Sequence, residues 1–327
     1  MKTDRLHTIS TPAVSEDLRA QALAVRRANF SDEIQFFAPG LKHFSIPEFE
    51  QKNPYAFLPI SLTGSACALD CDHCNKKILE PMIPLDKKEG LFGMCEKLAQ
   101  KGMEAVLISG GSKKTGEVPF MKHMDAIRRV KEELGLRIIM HTGLVLDEAE
   151  AAALKAAGID GVAIDIIGAN ETIQEVYHLD KTIEDYDRSL ALLSAHGLSL
   201  RPHVILGLHY GEFRGEYTAL DMIAKYPVHS LVLVILVPMH ETNMWGVEPP
   251  DPQQVSEFFF QARVKMPKTN LMLGCARPLG AYKEIVDRAA VEAGINGIAY
   301  PAEGIVAYSQ SLGLRPTFFE NSCSCGT

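Results

Sequence analysis

Long apolar runs are missing from this chain. Its greasiest stretch, Leu231 to Val237, is seven residues long, whereas a bilayer-spanning helix needs about 20. The stretch therefore reads as a buried strand, and no membrane partner is expected. A surplus of basic charge is missing too: 33 Lys and Arg stand against 41 Asp and Glu, a net charge of −8. A general nucleic-acid-binding surface needs the opposite balance, so nucleic acid is not expected as a partner. The polar start, Met-Lys-Thr-Asp-Arg-Leu-His, lacks the apolar core of a secretory signal. The seven cysteines are clustered unevenly, unlike a secreted disulfide framework. The expectation is a cytoplasmic protein with reduced thiols. No internal repeat or low-complexity tract is visible.

What is present is an ordinary globular balance, 46% hydrophobic and 23% charged over 327 residues. That length suits two domains or one large α/β barrel. From Ser15 to Phe37 apolar residues recur at helical spacing among charges, which predicts a helical prelude. A break follows at Pro39-Gly40. The chain then alternates. Strand-like runs cover Tyr55–Thr63, Ala105–Ser109, Arg137–His141, Gly161–Asp165, Leu200–Leu206, Leu231–Val237, Asn270–Gly274 and Gly297–Tyr300. Helical stretches near 88–100, 119–134, 147–156, 183–196, 214–225, 252–264 and 280–293 lie between them. Strands alternating with helices imply parallel pairing. Eight units suggest a closed (β/α)8 TIM-type barrel, although an open doubly wound sheet gives the same alternation. The expected organisation is a helical extension over 1–50, the barrel over 51–305, and a cysteine-bearing tail over 306–327.

The feature that narrows the chemistry is Cys67-Ala-Leu-Asp-Cys71-Asp-His-Cys74, directly behind the first barrel strand. Three thiolates in eight residues cannot all pair as disulfides. They can hold three corners of an iron–sulfur cube and leave the fourth iron open to a small molecule. The alternative is zinc, with His73 or a distant residue as fourth ligand. Structural zinc, however, usually takes two ligand pairs that close a small domain. Other polar residues also follow strands, where a barrel carries its active site: Ser109-Gly110-Gly111, His141, Asp165, His209 and Cys275.

Cys-x3-Cys-x2-Cys after the first strand of a βα barrel resembles the radical S-adenosylmethionine (SAM) superfamily. The resemblance implies a 4Fe–4S cluster on Cys67, Cys71 and Cys74 whose open iron chelates SAM. Its one-electron cleavage yields a 5′-deoxyadenosyl radical that abstracts hydrogen from unactivated carbon; the cofactor carries this chemistry and the protein supplies placement. The same resemblance implies SAM contacts at Ser109, Gly110 and Gly111, with Ser112 where the family carries an acidic residue. It further implies a ribose-binding carboxylate at Asp165, an adenine contact through the backbone of His73, and an adenine motif at Ile205 and Gly207, with His203 in place of its first glycine. Arg188 is a candidate partner for the SAM carboxylate, or else a solvated helix residue. Outside this resemblance a Gly-Gly is a turn and a strand-terminal Asp a helix cap, and His141, His203 and His209 are as readily packed core histidines.

Four further cysteines remain. Cys95 lies within a helical stretch and reads as a buried structural thiol. Cys275 follows the seventh barrel strand, and Cys323 and Cys325 occupy the tail. These three could hold an auxiliary cluster, a second 4Fe–4S site; the alternative is a loose tail whose cysteines do nothing or form a redox pair. Phe-Phe-Ala-Pro-Gly (36–40), the cysteine run, Ile-Ser-Gly-Gly-Ser (108–112), His-Thr-Gly-Leu-Val (141–145), Val-Tyr-His-Leu-Asp (176–180) and Leu-Gly-Cys-Ala-Arg-Pro (273–278) together resemble a biotin-synthase-like group that includes the archaeal-type, two-component lipoyl synthases. In that group an arginine at the place of Arg277 can ligate the auxiliary cluster. The resemblance implies sulfur insertion into a protein-bound octanoyl-lysine. It also implies partners: a second radical SAM lipoyl synthase subunit, an octanoylated carrier protein or lipoyl domain, and an electron donor such as ferredoxin. The tail would close over the site. Two other functions remain open: a related enzyme acting on a different small molecule, and a non-catalytic metal- or cluster-binding accessory subunit.

Overall fold

A computed structural model describes residues 13–40 and 42–323. Thirteen strands are present among them: β1 (Glu33–Phe37), β2 (Ser45–Ile46), β3 (Phe49–Glu50), β4 (Phe57–Ser61), β5 (Ile83–Pro84), β6 (Ala105–Ser109), β7 (Arg137–His141), β8 (Gly161–Asp165), β9 (Leu200–Leu206), β10 (Ser230–Ile235), β11 (Asn270–Leu273), β12 (Gly297–Ala299) and β13 (Arg315–Phe319). Eleven of them form one parallel sheet in the order β13-β1-β12-β11-β10-β9-β8-β7-β6-β4-β5. β2 and β3 pair as a small antiparallel ribbon. Helices connect successive strands, as parallel pairing requires. The result is a curled, TIM-type barrel open at one seam: no ladder among the described residues joins β13 to β4. No helix of the described residues is long and apolar enough to cross a membrane.

The barrel strands lie where the apolar runs place them, and their alternation sorts side chains to two faces. One set, including Val106, Ile108, Ile138, Met140, Val162, Ile164, Val204 and Leu206, packs outward in the main core with the helices. The other set faces the lumen in two small clusters. Phe37, Val232, Met272, Ala299 and Tyr300 form one; Phe57, Ala105, Ile139 and Ala163 form the other, with Cys323 against them. By the same parity His141, Asp165, His203 and Ile205 face the lumen.

Two expectations need correction. The helical reading of Ser15–Phe37 holds only over Glu16–Asn29; Phe30 turns to extended backbone. Residues 33–37 are β1, which pairs with β12 on one side and β13 on the other. The segment before residue 50 is therefore partly built into the barrel. The described part of the tail, up to residue 323, is also not a lid over the mouth. It contains a helix (Ile305–Ser311) and the edge strand β13, and then crosses the seam towards the strand amino ends. There the Glu320 carboxylate accepts the backbone N–H groups of Lys52 and Asn53 at 2.6 and 2.7 Å. Asn321 donates to Glu104 at 2.8 Å and accepts from Arg137 through its carbonyl.

Beside the lumen, Arg277 is pinned. Its guanidinium meets both oxygens of Asp287 at 2.5 and 3.0 Å and donates to the carbonyls of Gly274, Ala299 and Tyr300. Lys283 joins Asp287 at 2.9 Å, and both partners of the Arg277–Asp287 pair are fully buried. Removing one member strands buried charge. Asp287→Ala is expected to cost about 3–5 kcal/mol, read from the midpoint of urea unfolding.

Candidate active site

The cysteine loop leaves the carboxyl end of β4 and is held by the turn that follows β6. Ala68 N–H donates to Ser112 O at 2.8 Å, and Ser112 N–H donates back to the Cys67 sulfur at 3.3 Å. Gly111 N–H meets Thr63 Oγ1 at 2.7 Å. A Cβ on Gly111 would stand 2.1 Å from Ala66 O and 2.6 Å from Cys67 Cα. Glycine is thus required here for the approach of two loops, before any ligand is considered. Gly110 lies against Thr63 in the same way, and Ser109 is buried with its hydroxyl donating to His141 O at 3.2 Å.

Cys71 is buried; Cys67 and Cys74 are half-buried. Burial pushes the Cys71 and Cys74 thiols well up, and their neighbouring sulfurs add to the shift. His73 is half-buried against Tyr177, with ring centroids 4.9 Å apart, and desolvation of its ring lowers its pKa to about 4. Opposite them Asp165 lies 3.4 Å from His141 Nε2. Burial works against its charge, but His141 and then His203 and His73 outweigh it and hold the carboxyl at about 2. His203 is pushed down by burial, with Asp165 opposing, and its Nδ1–H points to Arg201 O at 3.0 Å. At neutral pH the lumen wall therefore presents an ionised carboxylate beside the His141 and His203 rings.

The remaining candidates are distributed as follows. Ile205 is half-buried on the lumen face of β9. Gly207 turns the chain at φ 74 against Pro250, and its N–H is held by the buried Glu216 carboxylate at 2.9 Å. Arg188 is not brought into this group: it is solvent-exposed on the helix Ile183–Ala195 and donates to Leu146 O at 3.5 Å. His209 is packed, with Nδ1 3.2 Å from the Thr172 hydroxyl. Cys95 is wholly buried and its thiol pushed up to about 12, as a structural cysteine would be. Arg277 has no free face to offer a cluster, since Asp287 and three carbonyls consume it.

Cys275 and Cys323 lie within electrostatic reach of each other. Cys275 is accessible yet surrounded by protein, as a wall residue of the lumen is. Burial raises its thiol, the nearby Cys323 raises it further, and Arg277 and Lys42 oppose this. Cys325 lies outside the described residues.

Three features fit the triplet to an iron–sulfur cluster with a bound cofactor. Cys71 is buried and Cys67 and Cys74 half-buried in one loop, where a bound cation would relieve the charge of their thiolates. Among the described residues Tyr177 OH and His73 Nδ1 have no hydrogen-bond partner and are closed off from solvent, as in a pocket that expects a ligand. The Gly110-Gly111 turn leaves no side chain between the loops. Among the described residues no three His, Cys, Asp or Glu side chains already converge on one point, so the thiols would turn toward a common centre on loading. Asp72, Tyr177 and Glu216 were not read as site residues; Asp72 and Tyr177 lie inside the quoted motifs, which is the signal that could have found them.

Residues 61–218 match the family described as the Radical SAM superfamily. The chain is 25% identical over 223 residues to a biotin synthase of Acaryochloris marina, covering 66% of this chain and 63% of that protein. It is 22% identical over 268 residues to a biotin synthase of Rhodopirellula baltica, covering 80% and 72%. The match thus spans less than two thirds of the first relative's length, and the relationship to biotin synthases is at low identity. Among solved structures, methylornithine synthase superposes with a TM-score of 0.62 at 14% identity over 96% of this chain and 93% of the other. The FeFe-hydrogenase maturase HydG from Carboxydothermus hydrogenoformans gives 0.64 at 17% over 96% and 74%. These likenesses establish the radical SAM fold, and with the family they imply a 4Fe–4S cluster and SAM.

Gly111→Ala is expected to force the two loops apart at a cost of about 1–3 kcal/mol, and to lower the iron bound per chain after anaerobic reconstitution.

Proposed function

We propose that this protein is a radical SAM sulfur-insertion enzyme, one subunit of a two-component lipoyl synthase acting on octanoyl-lysine of a carrier protein or lipoyl domain. The observation that supports this reading is the placement of Cys323 in the lumen, against the cluster of Phe57, Ala105, Ile139 and Ala163 and close enough to Cys275 for its charge to act on that thiol. A tail cysteine within electrostatic reach of a strand-end cysteine supports a second cluster held by Cys275, Cys323 and Cys325. The relationship to biotin synthases points the same way.

When bound, SAM and the reduced cluster would supply a radical that removes hydrogen from a methylene, and the auxiliary cluster would supply the sulfur. Within this reading the chain's own residues have separate tasks. Cys67, Cys71 and Cys74 hold the first cluster. The backbone of Ser109, Gly110 and Gly111 borders the methionine end of SAM, and Asp165, ionised, accepts from the ribose hydroxyls. His73, Ile205 and Gly207 border the adenine. The lumen between the two cysteine sets keeps water from the reacting carbon.

A protein-bound substrate suits the rim. Ile78, Met121, Tyr210, Trp245 and Leu279 are large and exposed, Ile78 and Met121 on short 3-10 turns and the others on loops, all in connections that follow strand carboxyl ends. The second subunit and a ferredoxin-like donor complete the proposal.

Replacing Cys275, Cys323 and Cys325 together with serine is expected to remove about four iron atoms per chain while leaving the SAM-cleaving cluster. Retention of all iron would refute the auxiliary site. An octanoyl-lysyl peptide with SAM, reductant and the partner subunit is expected to gain the mass of sulfur. SAM cleavage without that gain would indicate a different substrate, and no cleavage an accessory role.

A further inference from the structure

Asp72, between Cys71 and His73, has a carboxylate shared by three separate loops. His178 Nε2 lies 2.9 Å from Oδ1, Asn243 Nδ2 donates to Oδ1 at 2.7 Å, and the Tyr210 hydroxyl donates to Oδ2 at 2.6 Å. These partners follow β8, β10 and β9 respectively. The backbone of Asp72 is tied as well, with its N–H on Val176 O at 2.9 Å and its carbonyl accepting Met244 N–H at 3.2 Å. Around this centre Asn243 N–H meets Asn75 Oδ1 at 2.8 Å, and Lys77 pairs with Glu241.

Backbone strain gathers at the same place. Among the described residues six non-glycines have positive φ: Asn75, Lys76, His178, Tyr210, Glu241 and Tyr300. All but Tyr300 lie in the cysteine loop or in the segments that grip it. Each such residue costs roughly 1 kcal/mol or more, and persists only where surrounding contacts over-determine it. A carboxylate with three charge-assisted hydrogen bonds supplies such contacts.

We propose that Asp72 is a positioning residue, whose carboxylate gathers the loops after β8, β9 and β10 onto the cysteine loop and holds the backbone of Cys71 to Cys74 where the thiols can turn onto a cluster. The inference rests on the reading that Cys67, Cys71 and Cys74 hold a cluster. Asp72 touches neither iron nor SAM; it acts through the backbone on either side of it. Partners of this kind typically change metal affinity 10- to 100-fold, as a rough range.

The experiment compares the anaerobically reconstituted full-length chain with Asp72→Ala, Asp72→Asn, Tyr210→Phe and Asn243→Ala. It measures iron per chain, the rate of iron loss to excess ferrous chelator, and the electron paramagnetic resonance signature of the reduced cluster. Asp72→Ala is expected to lose iron roughly tenfold faster or more with an altered signature. Asp72→Asn, which still accepts from Tyr210, is expected to recover part of the retention. Tyr210→Phe and Asn243→Ala are expected to accelerate loss singly and to add little in the Asp72→Ala background, as members of one network do. Iron release and signature like the parent in Asp72→Ala would overturn the proposal. If that variant does not fold, parent-like release in both Tyr210→Phe and Asn243→Ala overturns it instead. A parent chain that binds no iron would refute the cluster reading, a separate result.

Discussion

Drawing Cys71 and Cys74 into the protein, the first buried and the second half-buried, is the constraint on which the rest of the architecture turns. Neither thiol ionises readily there, because desolvation and the neighbouring sulfur both oppose a thiolate. Only a cation bound to all of them reverses that preference. The rest of the fold converges on the loop that carries these thiols. Gly111 lets the β6 turn reach it, Asp72 anchors it from three sides, and Tyr177 and His73 present polar atoms that no described residue satisfies.

Strand parity turns this local demand into a site. Residues of one parity fill the space under the helices, so the other parity must line the lumen. That places His141, Asp165 and His203 in the lumen beside the cysteine loop, whereas Cys275 lies beyond the end of β11, in the loop that follows it. The open seam then matters as much as the ladder. Because no strand pairs β13 to β4, the chain after β13 can pass through the gap, held by Glu320 and Asn321, and set Cys323 against Phe57 and Ile139. A closed barrel would have no such entrance.

Much of this could be read from the amino acids alone. Short β-branched runs bounded by polar ends marked the barrel strands almost to the residue, since a strand covered on both faces tolerates little else. The triplet and the Gly-Gly turn were legible because their spacing is chemistry. β1 was not: five residues close behind a helix continue its apolar phase, and their pairing partner Ile298 lies far along the chain. β13 was hidden by Pro316, which only an edge strand accepts. Arg188 was misplaced because helix phase does not say which end of a solvent-facing side chain's reach is used. Arg277 was misread because its partner Asp287 is set by tertiary packing. The role of Asp72 needed three loops brought together, which no local pattern encodes.

The most direct test of the account is the paramagnetic resonance spectrum of the dithionite-reduced, anaerobically reconstituted protein before and after adding SAM. A cube with one iron free of protein ligands is expected to give a 4Fe–4S signal whose g-values shift when SAM occupies that iron. A colourless or zinc-loaded protein, or a cluster signal indifferent to SAM, would contradict it.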